Sequence, residues 1–517
     1  MRDGALPALN RALVASPAFQ QRRDIGVPPA ALLDLPEKAV QFGTGAFLRG
    51  FVEYFLDAAN RQGRFHGRLA MIGSTGSGRD GLVGEQDGLY TLAQLGVEHG
   101  VPQRQQRVIG VVSRALSATT QWREVLQCAH NPALQLIFSN TTEIGIALDD
   151  NDEPELAPPR SFPGKLTRFL YERAWAFDFD RARGVVVLPC ELIEQNGSRL
   201  RELVLQLASD WRLDARFPAW VSDAVRFCNT LVDRIVAGTP EPAERVQLEQ
   251  TLGYRDGLLT VCEVYRLFAI EGDAALRSRL AFADADRGIT ITGDITPYRE
   301  RKVRLLNGTH TAMVPVALLC GCTTVAEALQ HELVAPFVHA LLFDDILPSL
   351  SVPDGESFAH ALIDRFANPY LRHALFDITL QGTMKLRVRV VPSIVGHVAA
   401  TGRTPESLAF AFAAYLLFMR GELHAERQAA GAAVPADDAG ETVRQRWAGI
   451  DAADAAAVAA LVRDICAETA LWDTDLNRVA GFAAAVTTHL TRAGRLGILR
   501  ALETHLNATT PSFARGS

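Results

Sequence analysis

The absences in this sequence narrow its identity first. Seven cysteines in 517 residues, Cys128, Cys190, Cys228, Cys262, Cys320, Cys322 and Cys466, are too few and too scattered for a disulfide framework. A reducing, cytoplasmic setting suits them. Excess positive charge is also missing. The 52 bases and 59 acids leave a net charge of -7, which argues against a nucleic-acid partner, because phosphates select a basic face. No apolar run reaches the roughly 20 residues that cross a bilayer. The longest, residues 408–419, reads as a buried core helix, so no membrane partner is expected. The opening residues carry no apolar core of the kind a secretory signal needs, and no targeting segment is expected. Cys320 and Cys322 lie two apart without further ligands at metal-binding spacing. They read as buried structural residues.

What is present fits a soluble globular protein, with 48% hydrophobic and 21% charged residues. The length exceeds what one hydrophobic core sustains, which predicts at least two domains. Residues 38–42 read as a short strand, 43–45 as a turn and 46–60 as a helix with 3.6-residue apolar spacing. Further strand signals follow at 69–72, 108–112 and 134–138, the last preceded by a helix over about 119–128. Residues 185–188, Val-Val-Val-Leu, form the continuous apolar run of a strand buried on both faces. Strands alternating with helices predict a doubly wound parallel sheet. Residues 197–238 read as helical, and from about 296 onward helices dominate. The division predicted is an α/β domain over 1–293 and a mainly α-helical domain over 294–517.

The segment GTGAFLRG follows the first strand and opens a helix. Gly43 and Gly45 let the backbone turn tightly and approach a pyrophosphate. Leu48 stands at the third glycine position, so the pattern serves either a dinucleotide turn or an ordinary strand-to-helix turn. After the second strand, Arg79 and Asp80 stand side by side, and the motif leaves NAD and NADP open. SNTTE, with Asn140, Thr141 and Glu143, lies just past the fourth strand, where a parallel sheet gathers ligand contacts. A plain polar turn is the alternative.

Residues 294–319, DITPYRERKVRLLNGTHTAMVPVALL, carry the densest chemistry. Pro297 suits a helix start, and the pattern from Tyr298 is helical until Pro315, which would kink it. At about 100° per residue, His310 falls about 80° and Asn307 about 140° from Lys302. Three polar groups then project from one broad face. Hydride transfer to or from an alcohol carbon requires a group that moves the hydroxyl proton and donors for the developing oxyanion. Lysine serves as the base where burial or neighbouring cations favour its neutral form, and Arg301 and Arg304 are adjacent in sequence. Asn307 can donate to the oxygen and His310 can orient it. A solvated basic helix face is the alternative from chemistry alone.

The K-x-x-x-x-N-x-x-H spacing of Lys302, Asn307 and His310 resembles the signature of the polyol-specific long-chain dehydrogenase, or mannitol dehydrogenase, family. QFGTGAFLRGF, EQDGLYTL, HNPALQLIFSNTTEIGI, LPCELIEQNG, FCNTLVDRI and NPYLRHAL extend the resemblance along most of the chain. It implies a Rossmann-type N-terminal domain, a mainly α-helical C-terminal domain and no catalytic metal. Lys302 is then implied as general acid/base, with Asn307 and His310 stabilising and orienting the reacting oxygen. Gly43, Gly45, Ala46, Phe47, Asn140, Thr141 and Glu143 are the candidate cofactor contacts. Lys385 falls where polyol dehydrogenases carry a substrate-binding arginine. Asn196 reads first as a helix N-cap and second as a substrate or cofactor contact. Asp233 and Arg234 form an ion pair or line the cleft. His373 and His397 are further pocket candidates.

Two departures matter. Family members carry C-D-N-L where this chain has Cys190-Glu191-Leu192-Ile193, so Leu192 replaces an oxyanion-hole asparagine. They carry an acid where this chain has Arg299, a change that favours a carboxylate-bearing substrate. Within the family, SNTTE, PCELI and PYRERK look most like the members that interconvert tagaturonate and altronate with NAD(H), which implies NAD as cofactor and a small sugar-acid substrate. Fructuronate reduction or mannitol or arabinitol oxidation is the runner-up. A catalytically silent dinucleotide sensor is the reading of another class, disfavoured because a sensor need not retain a proton-transfer lysine. A monomer or small homo-oligomer is expected.

Overall fold

The computed structural model describes residues 6–74, 79–141, 145–371 and 373–509. The chain divides into two compact units, one of Met1–Gly96 with Pro102–Ile295, the other of Val97–Val101 with Thr296–Ser517.

The first unit is built on a six-stranded sheet. Its strands are β1 (Glu37–Phe42), β2 (Arg68–Gly73), β3 (Val112–Ser117), β4 (Leu136–Ser139), β5 (Val186–Pro189) and β6 (Arg226–Phe227). They lie in the order β3-β2-β1-β4-β5-β6, and every pairing is parallel. This is the doubly wound order of dinucleotide-binding folds, with its switch point between β1 and β4. Strands buried on both faces need apolar side chains at successive positions. Met71, Leu136, Phe138, Val186 and Leu188 pack into one core, while Ala70, Ile72, Ile137 and Val187 pack into another.

Helices α1 (Ala46–Gly50) and α2 (Val52–Arg61) follow β1. Further along come α3 (Trp122–Ala129), α4 (Phe162–Ala176), α5 (Asn196–Asp210) and α6 (Arg216–Ala224). The single helix expected over 46–60 breaks at Phe51, where φ is -126° and ψ -79°. The strand expected at 108–112 resolves into two elements, Val101–Ile109 of a separate four-stranded sheet and the start of β3. Residues 226–238, expected to be helical, form β6 and the strands Thr230–Asp233 and Val236–Gly238. Their β-branched residues are satisfied by pairing, with Val232 opposite Phe268 and Val236 opposite Cys262. Tertiary pairing, which the local pattern does not contain, decides such short segments.

The second unit is helical. It opens with α7 (Thr296–Arg301), runs through a π-helical segment at Lys302–Gly308 and continues as α8 (Thr309–Leu319). Pro315 sits inside α8, and the departure from α geometry comes earlier than the expected kink. Three further helices matter for the site, α9 (Gly355–Phe366), α10 (Gly382–Arg389) and α11 (Glu406–Phe418). The apolar run at 408–419 forms most of α11, buried nearly all round and packed against α8. No single helix among the described residues is long and apolar enough to cross a membrane.

Candidate active site

The glycine turn lies at the carboxyl end of β1, at the switch point. Gly43 adopts φ +124°, and a Cβ there would lie 3.1 Å from the Asn140 carbonyl oxygen and 3.2 Å from Leu48. Only glycine fits that conformation and that approach of β1 to β4. Gly45 differs: nothing lies within 4 Å of where its Cβ would be. No protein neighbour requires its bareness, which leaves open space for a ligand's backbone approach. Leu48 occupies the motif's third position, and the close packing instead falls at Gly50, whose Cβ would meet Val236 at 2.8 Å. Ala46 and Phe47 are half-buried beside the turn, with Phe47 stacked on Phe51 at 5.1 Å.

Beneath the turn runs a polar network that the sequence pattern did not reveal. Gln41 donates to the Gly43 carbonyl at 2.9 Å and to Glu53 at 3.0 Å. Arg49 donates to the Thr44 carbonyl at 2.7 Å. Tyr90 lies 2.7 Å from both the Arg49 carbonyl and Glu53 Oε2. Its single proton serves one acceptor, so both contacts are satisfied together when Glu53 is protonated and donates to the tyrosine oxygen. Burial pushes the Glu53 carboxyl up to about 7, against the hydrogen bonds from Tyr90 and Gln41. A glutamate and a glutamine at otherwise apolar positions of α2 and β1 were the available signal.

The Asn140–Thr141 loop is held at the ends of β4 and β5. Asn140 Nδ2 donates to the Cys190 carbonyl at 2.7 Å. The Thr141 N–H donates to Glu191 at 3.0 Å, and Ser139 Oγ to the same carboxylate at 3.1 Å. Burial raises the Glu191 pKa above the usual carboxylate range. Glu143 lies outside the described residues, as do the side chains of Arg79 and Asp80.

Asn196 does not take the expected N-cap position. Gln195 caps α5 in a left-handed conformation, and Asn196 is the first helical residue. Its amide is saturated by the protein. Nδ2 faces the carbonyls of Pro189, Glu191 and Thr230, and Oδ1 accepts from the Gly197 and Thr230 N–H groups. With its hydrogen-bonding capacity used within the protein, Asn196 ties β5, α5 and the strand Thr230–Asp233 together, a structural role in place of the substrate or cofactor contact expected of it. Asp233 is buried at the end of that strand. Arg234 is committed to the Gly50 and Glu263 carbonyls and to Gln94.

In the helical unit, Lys302 and Asn307 bound most of the π-helical segment. A π turn bonds residue i to i+5, so their five-residue spacing brings the two side chains closer to one face than α geometry would. Both are half-buried. Thr311 Oγ1 donates to the Asn307 carbonyl at 2.7 Å. The neighbouring arginines turn elsewhere. Arg301 donates to the Pro353 carbonyl at 2.8 Å, and Arg304 to Ser393 at 2.8 Å. They are therefore not free cations waiting beside Lys302, as adjacency in sequence suggested.

His310 stacks on Phe366 of α9, with ring centroids 4.4 Å apart, and meets His373 edge-on at 5.1 Å. Its Nε2 is buried with no hydrogen-bond partner among the described residues. Burial holds its pKa well below the ordinary histidine value, reinforced by His373, Arg365 and Arg389. His373, a secondary candidate from sequence, thus joins the site. His397 does not: its Nδ1 bonds the Asp345 carbonyl at 2.9 Å in the packed interior. Lys385 is half-buried on α10, with Nζ donating to the Ile378 carbonyl at 3.1 Å. Burial and Arg389 lower its pKa. Arg299 is half-buried in α7.

Two family models match, the mannitol dehydrogenase Rossmann domain over residues 37–283 and the mannitol dehydrogenase C-terminal domain over residues 294–493. The chain belongs to the mannitol dehydrogenase family. Among relatives, the altronate oxidoreductase of Pectobacterium atrosepticum is 41% identical over 473 residues, covering 90% of this chain and 96% of that one. The altronate oxidoreductase of Bacillus subtilis is 39% identical over 468 residues, covering 90% and 95%. The mannitol 2-dehydrogenase of Pseudomonas fluorescens, solved as a ternary complex with NAD and D-mannitol, is 25% identical with a TM-score of 0.66, covering 97% of this chain and all 100% of that one. A substrate-free D-sorbitol dehydrogenase shares the fold, with a TM-score of 0.74 at 21% identity over 96% and 100%. Against the mannitol dehydrogenase pattern, the departure at Leu192 stands out. That side chain, three residues past β5, is 61% exposed.

Proposed function

We propose that this mannitol dehydrogenase family member is an NAD(H)-dependent oxidoreductase that reduces D-tagaturonate to D-altronate and runs the reverse oxidation. The observation that carries the reading is the retained set Lys302, Asn307 and His310, placed around a π turn in a chain 41% identical to an altronate oxidoreductase. The glycine turn fits a dinucleotide, with Gly43 tight against β4 and open space at Gly45. Asn140 and Thr141 follow at the neighbouring strand end, and Glu143, outside the described residues, is kept as a cofactor contact from the sequence motif. NADH supplies the hydride when bound. Lys302, as the ammonium, gives its proton to the oxygen of the keto carbon, and in the oxidative direction the free amine takes it back. Asn307 donates to the same oxygen as its charge builds. His310, neutral and with an unused ring nitrogen, orients the substrate hydroxyls. Asp233 accepts from one of them, and Arg299 and Lys385 favour an anionic substrate over a neutral polyol. The enzyme acts in the cytoplasm as a monomer or small homo-oligomer, without nucleic-acid or membrane partners.

The test is a panel of tagaturonate, fructuronate and fructose, each with NADH and NADPH. The expected result is the highest kcat/KM for tagaturonate with NADH. A preference for fructuronate or fructose overturns the substrate, and a preference for NADPH overturns the cofactor.

A further inference from the structure

The helical unit places an arginine beside His310 that neither the glycine turn nor the Lys-Asn-His spacing points to. Arg389 ends α10, and that helix end packs on the π-helical segment. Gly308 makes the approach: a Cβ there would lie 3.1 Å from the Arg389 carbonyl oxygen. The backbone of Arg389 is therefore fixed against the segment that carries Lys302 and Asn307. Its guanidinium reaches Thr311, with Nη1 3.4 Å from Oγ1. That hydroxyl in turn donates to the Asn307 carbonyl at 2.7 Å. Lys385 precedes Arg389 by one turn on the same face of α10.

What sets Arg389 apart is that no carboxylate among the described residues pairs with it. Arg301, Arg304 and Arg387 each have a carboxylate within reach, at 3.9 Å (Asp354), 3.7 Å (Glu300) and 3.6 Å (Asp473). Arg389 is half-buried, and its only hydrogen bond among the described residues is the long one to Thr311. Lys385 has Asp437 in its electrostatic surroundings, a carboxylate that also accepts from both the N–H and the hydroxyl of Thr383. A guanidinium carries five N–H donors in a fork that matches a carboxylate in two parallel bonds. Leaving that fork largely unused at a partly desolvated position costs stability unless a ligand completes it. A second unsatisfied group sits close by, the enclosed Nε2 of His310. One group needs an anion and the other a hydroxyl, and a sugar acid presents both.

We propose that Arg389 binds the carboxylate of the substrate, with Lys385 beside it, and so sets the preference for a keto sugar acid over a neutral ketose. The proposal rests on the sugar-acid reading above. Specificity then comes from α10, while the proton-transfer groups come from the α7–α8 helix.

The experiment compares native enzyme with Arg389→Gln and Arg389→Lys on tagaturonate and on fructose, with NADH binding and thermal melting as checks on folding. In Arg389→Gln the ratio of kcat/KM for tagaturonate to that for fructose falls by about 30-fold or more, as for loss of one partner from a buried charge pair. Arg389→Lys recovers part of the ratio, because it keeps the charge but not the fork. If the native enzyme prefers tagaturonate and both variants, folded and binding NADH, keep the native ratio, Arg389 is not the carboxylate group and the sugar-acid reading stands. If the native enzyme prefers fructose, the sugar-acid reading falls and the assignment of Arg389 falls with it.

Discussion

The imidazole of His310 lies almost flat on the ring of Phe366, the planes inclined by 14° at a centroid separation of 4.4 Å. Burial, with His373, Arg365 and Arg389 around the ring, disfavours an imidazolium. The neutral ring is therefore the favoured form at neutral pH. In histidine-labelled protein, with His310→Gln used for assignment, the His310 Cε1 resonance should not titrate between pH 6 and 8. A midpoint above 6 contradicts the neutral ring.

The two motif glycines should separate in their effects. Gly43→Ala forces a side chain into φ +124° and against the Asn140 carbonyl, and should cost about 1–3 kcal/mol of stability. Gly45 has φ -65° and open space at its Cβ position, so Gly45→Ala should change stability by less than about 0.5 kcal/mol. If that space receives the pyrophosphate, Gly45→Ala should still weaken NADH binding by about tenfold or more. Urea unfolding and NADH fluorescence titration read the two quantities separately. Unchanged NADH affinity in folded Gly45→Ala would remove the turn from the cofactor site.

Replacing Lys302 by alanine should lower kcat by about 10²–10⁴-fold, the range for loss of a general acid/base. NADH affinity should stay within a few-fold, because the lysine's proposed task is at the keto oxygen. Near-native kcat at saturating substrate would assign the proton transfer to another group.

Glu53 makes stability fall with rising pH. Its carboxyl is raised from the ordinary 4.5 to about 7 by burial. The folded state thus holds this proton to higher pH than the unfolded chain. Its contribution is full below about pH 4.5 and is lost as pH rises through about 7, by an amount on the order of 3 kcal/mol. Glu53→Gln imitates the protonated acid toward Gln41 and Tyr90. The variant should therefore gain stability relative to native at pH 8 and gain least at pH 5, as read by denaturant unfolding at the two values. An equal change at both pH values would show that Glu53 is ionised throughout.

Much of this protein was legible in the chain. Continuous apolar runs such as 185–188 announce parallel strands buried on both faces, because a strand covered on both sides buries successive side chains. Glycines at 43 and 45 after the first strand mark the turn, and the spacing of Lys302, Asn307 and His310 marks the helix proposed to carry proton transfer. These signals are local, set by backbone sterics, by burial and by helical repeat, and so they survive in one dimension. The tertiary structure decided what depends on distant partners. Residues 226–238 became strands because neighbouring segments pair with them. Asn196 became a saturated structural amide because three elements converge on it. The π turn at Lys302–Gly308 altered the relation of Lys302 to Asn307 in a way that regular α periodicity cannot express. Arg389, 79 positions beyond His310 in the numbering, comes to that histidine's side only because Gly308 lets α10 close on the π segment. That no carboxylate among the described residues pairs with its guanidinium is a fact about its neighbours in space, and no reading of the residues around it in sequence contains it.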